Sequence, residues 1–184
     1  DLNLLKIDAL GLRTLSVLQD VLDQVGWERE KLVNFPLENE KAFSILNDEK
    51  YAGIFQFEGY ALQSLTRQMK IGNFEDIAAI TALARPGPLN SGGTTEYIKR
   101  KVGSEPVSYL HPMTEEITKI TNGVVVYQEQ VMTIARDVGK LSWEDVSQLR
   151  KAMSKSYGEE YFDTFWVRFK AGAESQGIPE DQAL

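Results

Sequence analysis

Asp8 closes a short apolar run, Leu4-Leu5-Lys6-Ile7-Asp8, and in an extended strand alternation sets Lys6 and Asp8 on one face, a cation beside a carboxylate. That pair suits a metal-bound phosphate. A hard divalent cation is usually held by carboxylates, substrate phosphates and water together, so a single carboxylate leaves such a site incomplete. A second cluster is Arg150, Lys151 and Lys155. On a helix, Lys151 and Lys155 share a face at i, i+4 and Arg150 lies one step around the axis. Three cations at one helix end either hold a polyanion such as a triphosphate or form a solvated C-terminus favoured by the helix dipole. Arg85 precedes the rigid turn Pro86-Gly87-Pro88, which presents its guanidinium to a backbone phosphate or fixes it in a salt bridge. Lys99-Arg100-Lys101 is either a nucleic-acid backbone contact or a solvated face. Gln128-Glu129-Gln130 either places polar groups in a cleft or starts a helix with a favourable Glu129. His111 lies before a proline with no neighbouring nucleophile and acid, and reads as structural.

The elements that must position these groups are mostly helical. Leu12, Leu15, Leu18, Leu22 and Val25 form one apolar stripe closed by Gly26. Pro36 precedes a short helix over 37–46, and Gly53-Ile54-Phe55-Gln56-Phe57 alternates as a short strand or an extended connector. A helix over 59–69 buries Leu62, Leu65 and Met69; Asn73 with Asp76 reads as a capping box for the next, which ends at Arg85 because Pro86 disfavours helical geometry there. Residues 86–93 read as a loop, and Thr94 or Thr95 caps a basic helix through Lys101. A helix through about Ile120, a turn at Asn122-Gly123 and a β-rich run over 124–127 follow. Gln128 to Val138 is helical, Ser142 with Asp145 caps a helix facing inward through Trp143, Val146, Leu149 and Met153, and an aromatic-rich helix ends near Gly177.

At 184 residues and 42% hydrophobic content the chain can bury a core, alone or as part of a larger protein. It has no cysteine and one histidine, which excludes zinc ribbons, thiol catalysis and a disulfide framework and fits a reducing compartment. No apolar run approaches the roughly 20 residues that span a bilayer, so a cytoplasmic protein without a membrane partner is expected. A net charge of −7 opposes nucleic-acid binding through the overall field but leaves local basic patches open.

The segments Leu4-Leu5-Lys6-Ile7-Asp8-Ala9-Leu10-Gly11-Leu12-Arg13-Thr14-Leu15, Gly53-Ile54-Phe55-Gln56-Phe57-Glu58, Arg85-Pro86-Gly87-Pro88-Leu89, Val126-Tyr127-Gln128-Glu129-Gln130-Val131-Met132 and Leu149-Arg150-Lys151-Ala152-Met153 together resemble the bacterial C-family of replicative DNA polymerases, the polymerase III alpha subunits. The resemblance implies a mainly α fold: the C-terminal end of a palm over 1–11, with a short β element, and an incomplete helical fingers domain over 12–184, with short strands near 53–57 and 124–127. It implies that Asp8 is one of three catalytic carboxylates and a ligand to one of two Mg2+ ions. Lys6, Arg150 and Lys151 would face the incoming triphosphate. Where the family continues with glycine and two lysines this chain has Ser154, Lys155 and Ser156, which leaves Lys155 as a third phosphate contact. Gly93 stands where a methionine is common. Arg85, Lys99, Arg100 and Lys101 are the DNA-binding candidates. The implied reaction is attack of a primer 3′-hydroxyl on a deoxynucleoside triphosphate. The implied partners are primer-template DNA, the triphosphate and, through regions outside this chain, replisome subunits such as a sliding clamp. Both ends read as cuts, so the fragment itself is expected to be inactive. The competing expectation is a non-catalytic helical module that binds nucleic acid or protein.

Overall fold

A computed structural model describes residues 7, 9–85, 87, 89, 92–155 and 157–183, and among them every regular element is helical. The β element expected around Lys6 and Asp8 lies outside the described residues. The first helix, α1 (Arg13–Val25), ends as the stripe and Gly26 predict, with Gly26 at φ 66°, a left-handed cap that a residue without Cβ adopts freely. Of the stripe, Leu22 is buried, whereas Leu15 is 61% and Val25 55% exposed, so α1 lies on the molecule's surface. A short helix α2 (Arg29–Val33), not expected from the apolar spacing, follows. The next helix, α3 (Glu40–Asn47), starts later than expected because Asn39 Oδ1 accepts the Ala42 N–H at 3.1 Å and so defines the N-terminus.

Two further helices, α4 (Tyr60–Met69) and α5 (Phe74–Leu83), pack with α3 and with α6 (Gly93–Lys101) around a core that includes Phe43, Leu65, Ile80, Leu83 and Tyr97. The Asn73–Asp76 capping box is present at the start of α5. At α6 no threonine caps: Gly92 is the N-cap, and Thr94 is buried with its hydroxyl donating to the Leu83 C=O at 3.2 Å. The expected loop over 86–93 is also corrected in part. Gly87 and Leu89 are helical, with the Leu89 N–H donating to the Arg85 C=O at 3.2 Å.

Beyond α6 the chain passes through two short 3-10 turns, Pro112–Thr114 and Lys119–Thr121, flanking α7 (Glu115–Thr118). The hydroxyls of Thr114 and Thr118 donate to the carbonyls of His111 and Thr114, local bonds that compete with a continuous helix. A second core lies among α8 (Gln128–Asp137), α9 (Trp143–Lys155) and α10 (Glu159–Glu174), filled by Ala135, Leu141, Val146, Leu149 and Phe165. There, Gly139 and Gly172 let backbone meet backbone: a Cβ on Gly172 would overlap the Gly139 carbonyl. The last described element is α11 (Glu180–Ala183).

Neither internal strand forms. Over 53–57 the backbone makes successive turns: the Ile54 N–H donates to the Tyr51 C=O and the Phe57 N–H to the Ile54 C=O, both at 3.0 Å. Gly53 and Gln56 take positive φ, 76° and 62°, which ends any extended run. The inward residues are therefore Ile54 and Phe57, three apart, while Phe55 is exposed. Over 124–127 no neighbouring strand among the described residues supplies a ladder, and side chains take that place. Gln130 Oε1 accepts the N–H groups of Val126 and Tyr127 at 2.8 and 2.9 Å, and the Thr121 hydroxyl donates to the Val124 C=O at 2.6 Å. Among the described residues no helix is long and apolar enough to cross a membrane.

Candidate functional site

Three of the sequence motifs, far apart in the chain, meet in one open cleft of about 590 Å³. Its walls are Arg85 just beyond α5, Tyr127, Gln128 and Glu129 at the start of α8, and Met153 and Ser154 near the end of α9.

Each wall has a local cause. Pairing of Ala84 N–H with the Ile80 C=O completes the last turn of α5 and leaves Arg85 exposed at its end. The Tyr127 wall is held from behind by Gln130, 5% exposed, whose amide is saturated. Its Oε1 takes the two backbone N–H groups already described, and its Nε2 donates to the Ile117 C=O at 3.0 Å and to Thr121 Oγ1 at 2.7 Å. Of the Gln-Glu-Gln triplet, then, Gln130 builds the scaffold while Gln128 and Glu129 are exposed on the cleft. Such a glutamine was readable from its position three residues after Tyr127, the N3 position of a capping-box spacing.

On α9 the Ser142 hydroxyl accepts the Asp145 N–H at 3.1 Å and fixes the N-terminus. Val146, Leu149 and Ala152 then turn into the core, which forces Arg150, Lys151 and Lys155 outward, all exposed. Arg150 lies one helical turn before Ser154, so it stands on the face that lines the cleft, with Lys151 and Lys155 together beside it. Among the described residues none of these three cations is in an ion pair.

The Tyr127 phenol is within electrostatic reach of a buried polar group. The Asp76 carboxylate, 2% exposed, accepts the N–H of Gly72 at 2.8 Å and pairs with Lys101 Nζ at 2.6 Å. Burial pushes the Tyr127 phenol up, with Glu75 and Asp76 adding to it, and the same causes, burial first and then Asp76 and Tyr127, push Tyr97 up further. Both phenols therefore stay protonated and act as neutral groups.

The remaining predicted cations are placed differently. Lys101 is turned inward to Asp76. Arg100, whose side chain is 10% exposed, pairs with Glu96 and donates to the carbonyls of Ser108 and Asn122 at 2.9 and 3.1 Å. Lys99 is half exposed and meets Glu105 at 2.7 Å on the surface. Lys6 and Asp8 lie outside the described residues, but the same motif reaches a second hollow of about 350 Å³, where Arg13 and Thr14 of α1 face the Gly53–Glu58 turn. That turn is closed by the Gly53 N–H donating to Glu58 Oε1 at 3.0 Å. The first two motifs are thus joined in one hollow and the other three in another. Among the described residues no three His, Cys, Asp or Glu side chains converge as a metal site would require.

This geometry fits a ligand with several negative charges: an open cleft with the Arg85 guanidinium, a neutral phenol and the exposed Gln128 amide on its walls, and further cations on the helix that carries Met153 and Ser154. Residues 14–177 match the family model for the bacterial DNA polymerase III alpha subunit finger domain. The chain is similar to the DNA polymerase III subunit alpha of Aquifex aeolicus, at 38% identity over 99% of the chain. It is similar also to that of Staphylococcus aureus at 39% and of Caulobacter vibrioides at 38%, each over 98% of the chain. It spans 16 to 17% of the length of these relatives.

Proposed function

Because the chain belongs to the bacterial DNA polymerase III alpha subunit finger-domain family, we propose that it serves as the fingers of a DNA-directed DNA polymerase and that its cleft receives the triphosphate of the incoming deoxynucleotide. The observation that carries this reading is the convergence of Arg85, Tyr127 and the end of α9 on one cleft, with the exposed Arg150, Lys151 and Lys155 on the helix that walls it.

In this reading Arg150 and Lys151 neutralise the charge on the β- and γ-phosphates, and Lys155 is a third contact. Neutralisation of charge that grows on the leaving phosphates is the part of nucleotidyl transfer such residues perform. Arg150 supplies a planar fork for two oxygens of one phosphate, whereas Lys151 and Lys155 act as point charges. Lys6 is proposed beside the same triphosphate. Residues 12–184 are assigned to the fingers and 1–11 to the end of the palm. Asp8 is proposed as one carboxylate of the metal centre of the whole enzyme. The described cleft has a single carboxylate, Glu129, among cationic and neutral donors, so it fits an anion and not a divalent cation such as magnesium. DNA contact is proposed for Arg85 and Lys99, which are exposed. Arg100 and Lys101, drawn inward, would support the fold behind them. The protein is placed with the replication machinery in the cytoplasm.

Titration of the chain with a deoxynucleoside triphosphate and with the matching monophosphate tests the reading. Tighter binding of the triphosphate is expected. Loss of a charge-assisted hydrogen bond, worth about 1.5–3 kcal/mol, corresponds to about 10- to 150-fold weaker triphosphate binding in Arg150→Ala or Lys151→Ala. Equal affinity for the two nucleotides, or unchanged affinity in both variants, would refute it.

A further inference from the structure

Past the end of α9 the chain carries an aromatic ladder whose inner ring is in the core and whose two outer rings are exposed. The Tyr157 and Tyr161 rings meet edge to face at 4.9 Å and 65°, and Tyr161 continues to Phe165 at 5.5 Å and 63°. Phe165 belongs to the core, and the Arg168 guanidinium lies 5.0 Å from its centroid. Tyr157 and Tyr161, by contrast, remain 44% and 37% exposed and wall a shallow hollow of about 400 Å³ with Gly158 and Glu160. The Tyr157 N–H donates to the Ala152 C=O at 3.2 Å, which ties the first ring to the turn of α9 that carries Lys151 and Lys155. Two open aromatic rings beside two exposed ammonium groups combine the two elements that hold an unpaired strand: π-faces that accept any base, and cations that follow its backbone.

We infer that Tyr157 and Tyr161 form a stacking platform for bases of single-stranded DNA, with the strand's phosphates directed to Lys151 and Lys155. This inference rests on the polymerase reading for its choice of nucleic acid; the two rings lie outside the nucleotide cleft, whereas Lys151 and Lys155 are shared between the strand and the triphosphate. Charge sets the orientation. Glu160 borders the hollow, and Glu159 and Asp163 are exposed on the same first turns of α10, so phosphates are disfavoured at the rings and favoured toward α9.

The test is fluorescence anisotropy of a labelled single-stranded oligothymidylate titrated with the chain at low salt. Stacking on a tyrosine is worth about 1–3 kcal/mol per base, so Tyr157→Ala and Tyr161→Ala should each weaken binding about 5- to 150-fold. Tyr157→Phe and Tyr161→Phe, which keep the π-face, should bind like the parent, and Glu160→Gln should bind more tightly. Triphosphate binding should be unchanged in the tyrosine variants. Oligonucleotide binding that survives both alanine substitutions, or a Glu160→Gln variant that does not tighten, would overturn the platform while leaving the nucleotide cleft standing. Parallel loss of oligonucleotide and triphosphate binding in Tyr157→Ala would also overturn it, by assigning both ligands to the cleft.

Discussion

Replacing Lys101 separates a structural cation from a DNA-binding one. Its Nζ lies 2.6 Å from Asp76 Oδ1, and the two partners are unequally buried, the lysine side chain 25% and the aspartate 2% exposed. Lys101→Met strands a buried carboxylate, and breaking a buried pair in this way costs about 3–5 kcal/mol. The Gly72 and Asn73 N–H groups still reach Asp76 Oδ2 at 2.8 and 3.3 Å, which places the loss near the lower end, about 3 kcal/mol. For a chain of 184 residues that corresponds to a fall in Tm of roughly 6–12 °C. Asp76→Asn should cost less, about 2 kcal/mol, because the partly exposed lysine then reaches water along its flexible stem and no charge is left buried. Urea unfolding with an unchanged m-value measures both, and the double variant should resemble Asp76→Asn alone. A Lys101→Met cost below about 1 kcal/mol, or a double variant that sums the two single losses, would refute the assignment. If Lys101 acts on DNA instead, the change would appear as a shallower salt dependence of binding with stability intact.

Three further outcomes are expected. Gly172→Ala should destabilise by about 1–3 kcal/mol or more, because the new Cβ overlaps the Gly139 carbonyl where α10 crosses the end of α8; a thermal unfolding midpoint equal to the parent's would contradict that packing. Gln130→Glu keeps the acceptor for the Val126 and Tyr127 N–H groups but removes both donors and sets a carboxylate against the Ile117 C=O, so a loss of about 2–4 kcal/mol and faster amide exchange at Tyr127 should follow, and protection unchanged at Tyr127 would argue against its role. Stability should fall as pH rises above the ordinary tyrosine value of 10.0, because the folded state retains the Tyr97 proton that the unfolded chain has lost, and Tyr97 by itself contributes a slope that approaches about 1.4 kcal/mol per pH unit. Tyr97→Phe should flatten that alkaline limb, and an unaltered limb would remove Tyr97 as its source.

Helix positions were legible where apolar spacing coincided with a cap. Asn73 with Asp76 and Ser142 with Asp145 both start helices as their types and three-residue offset require, since each places an oxygen at an orphan N–H. Gly26 stops α1 for an equally local reason. Strand formation was not legible in the same way. A strand needs a partner edge, and the alternation in 53–57 and the valines of 124–126 found turns and a glutamine side chain instead. The Thr94 hydroxyl likewise went to a carbonyl eleven residues back and not to a helix end.

The cationic character of Arg85, Arg150, Lys151 and Lys155 was set by residue type, and the outward face of α9 by its spacing. Which cations remain available was decided by tertiary contact. Lys99, Arg100 and Lys101 are adjacent in sequence, yet their partners are a surface glutamate, two backbone carbonyls with Glu96, and a buried aspartate from α5. Helical geometry directs successive side chains about 100° apart, so neighbours in the chain face different environments. Packing of α5 and α6 in one core selects one of them, Lys101, for Asp76. The same packing brings three distant motifs to one cleft, because charge and type reside in single residues whereas proximity arises only when the two cores close.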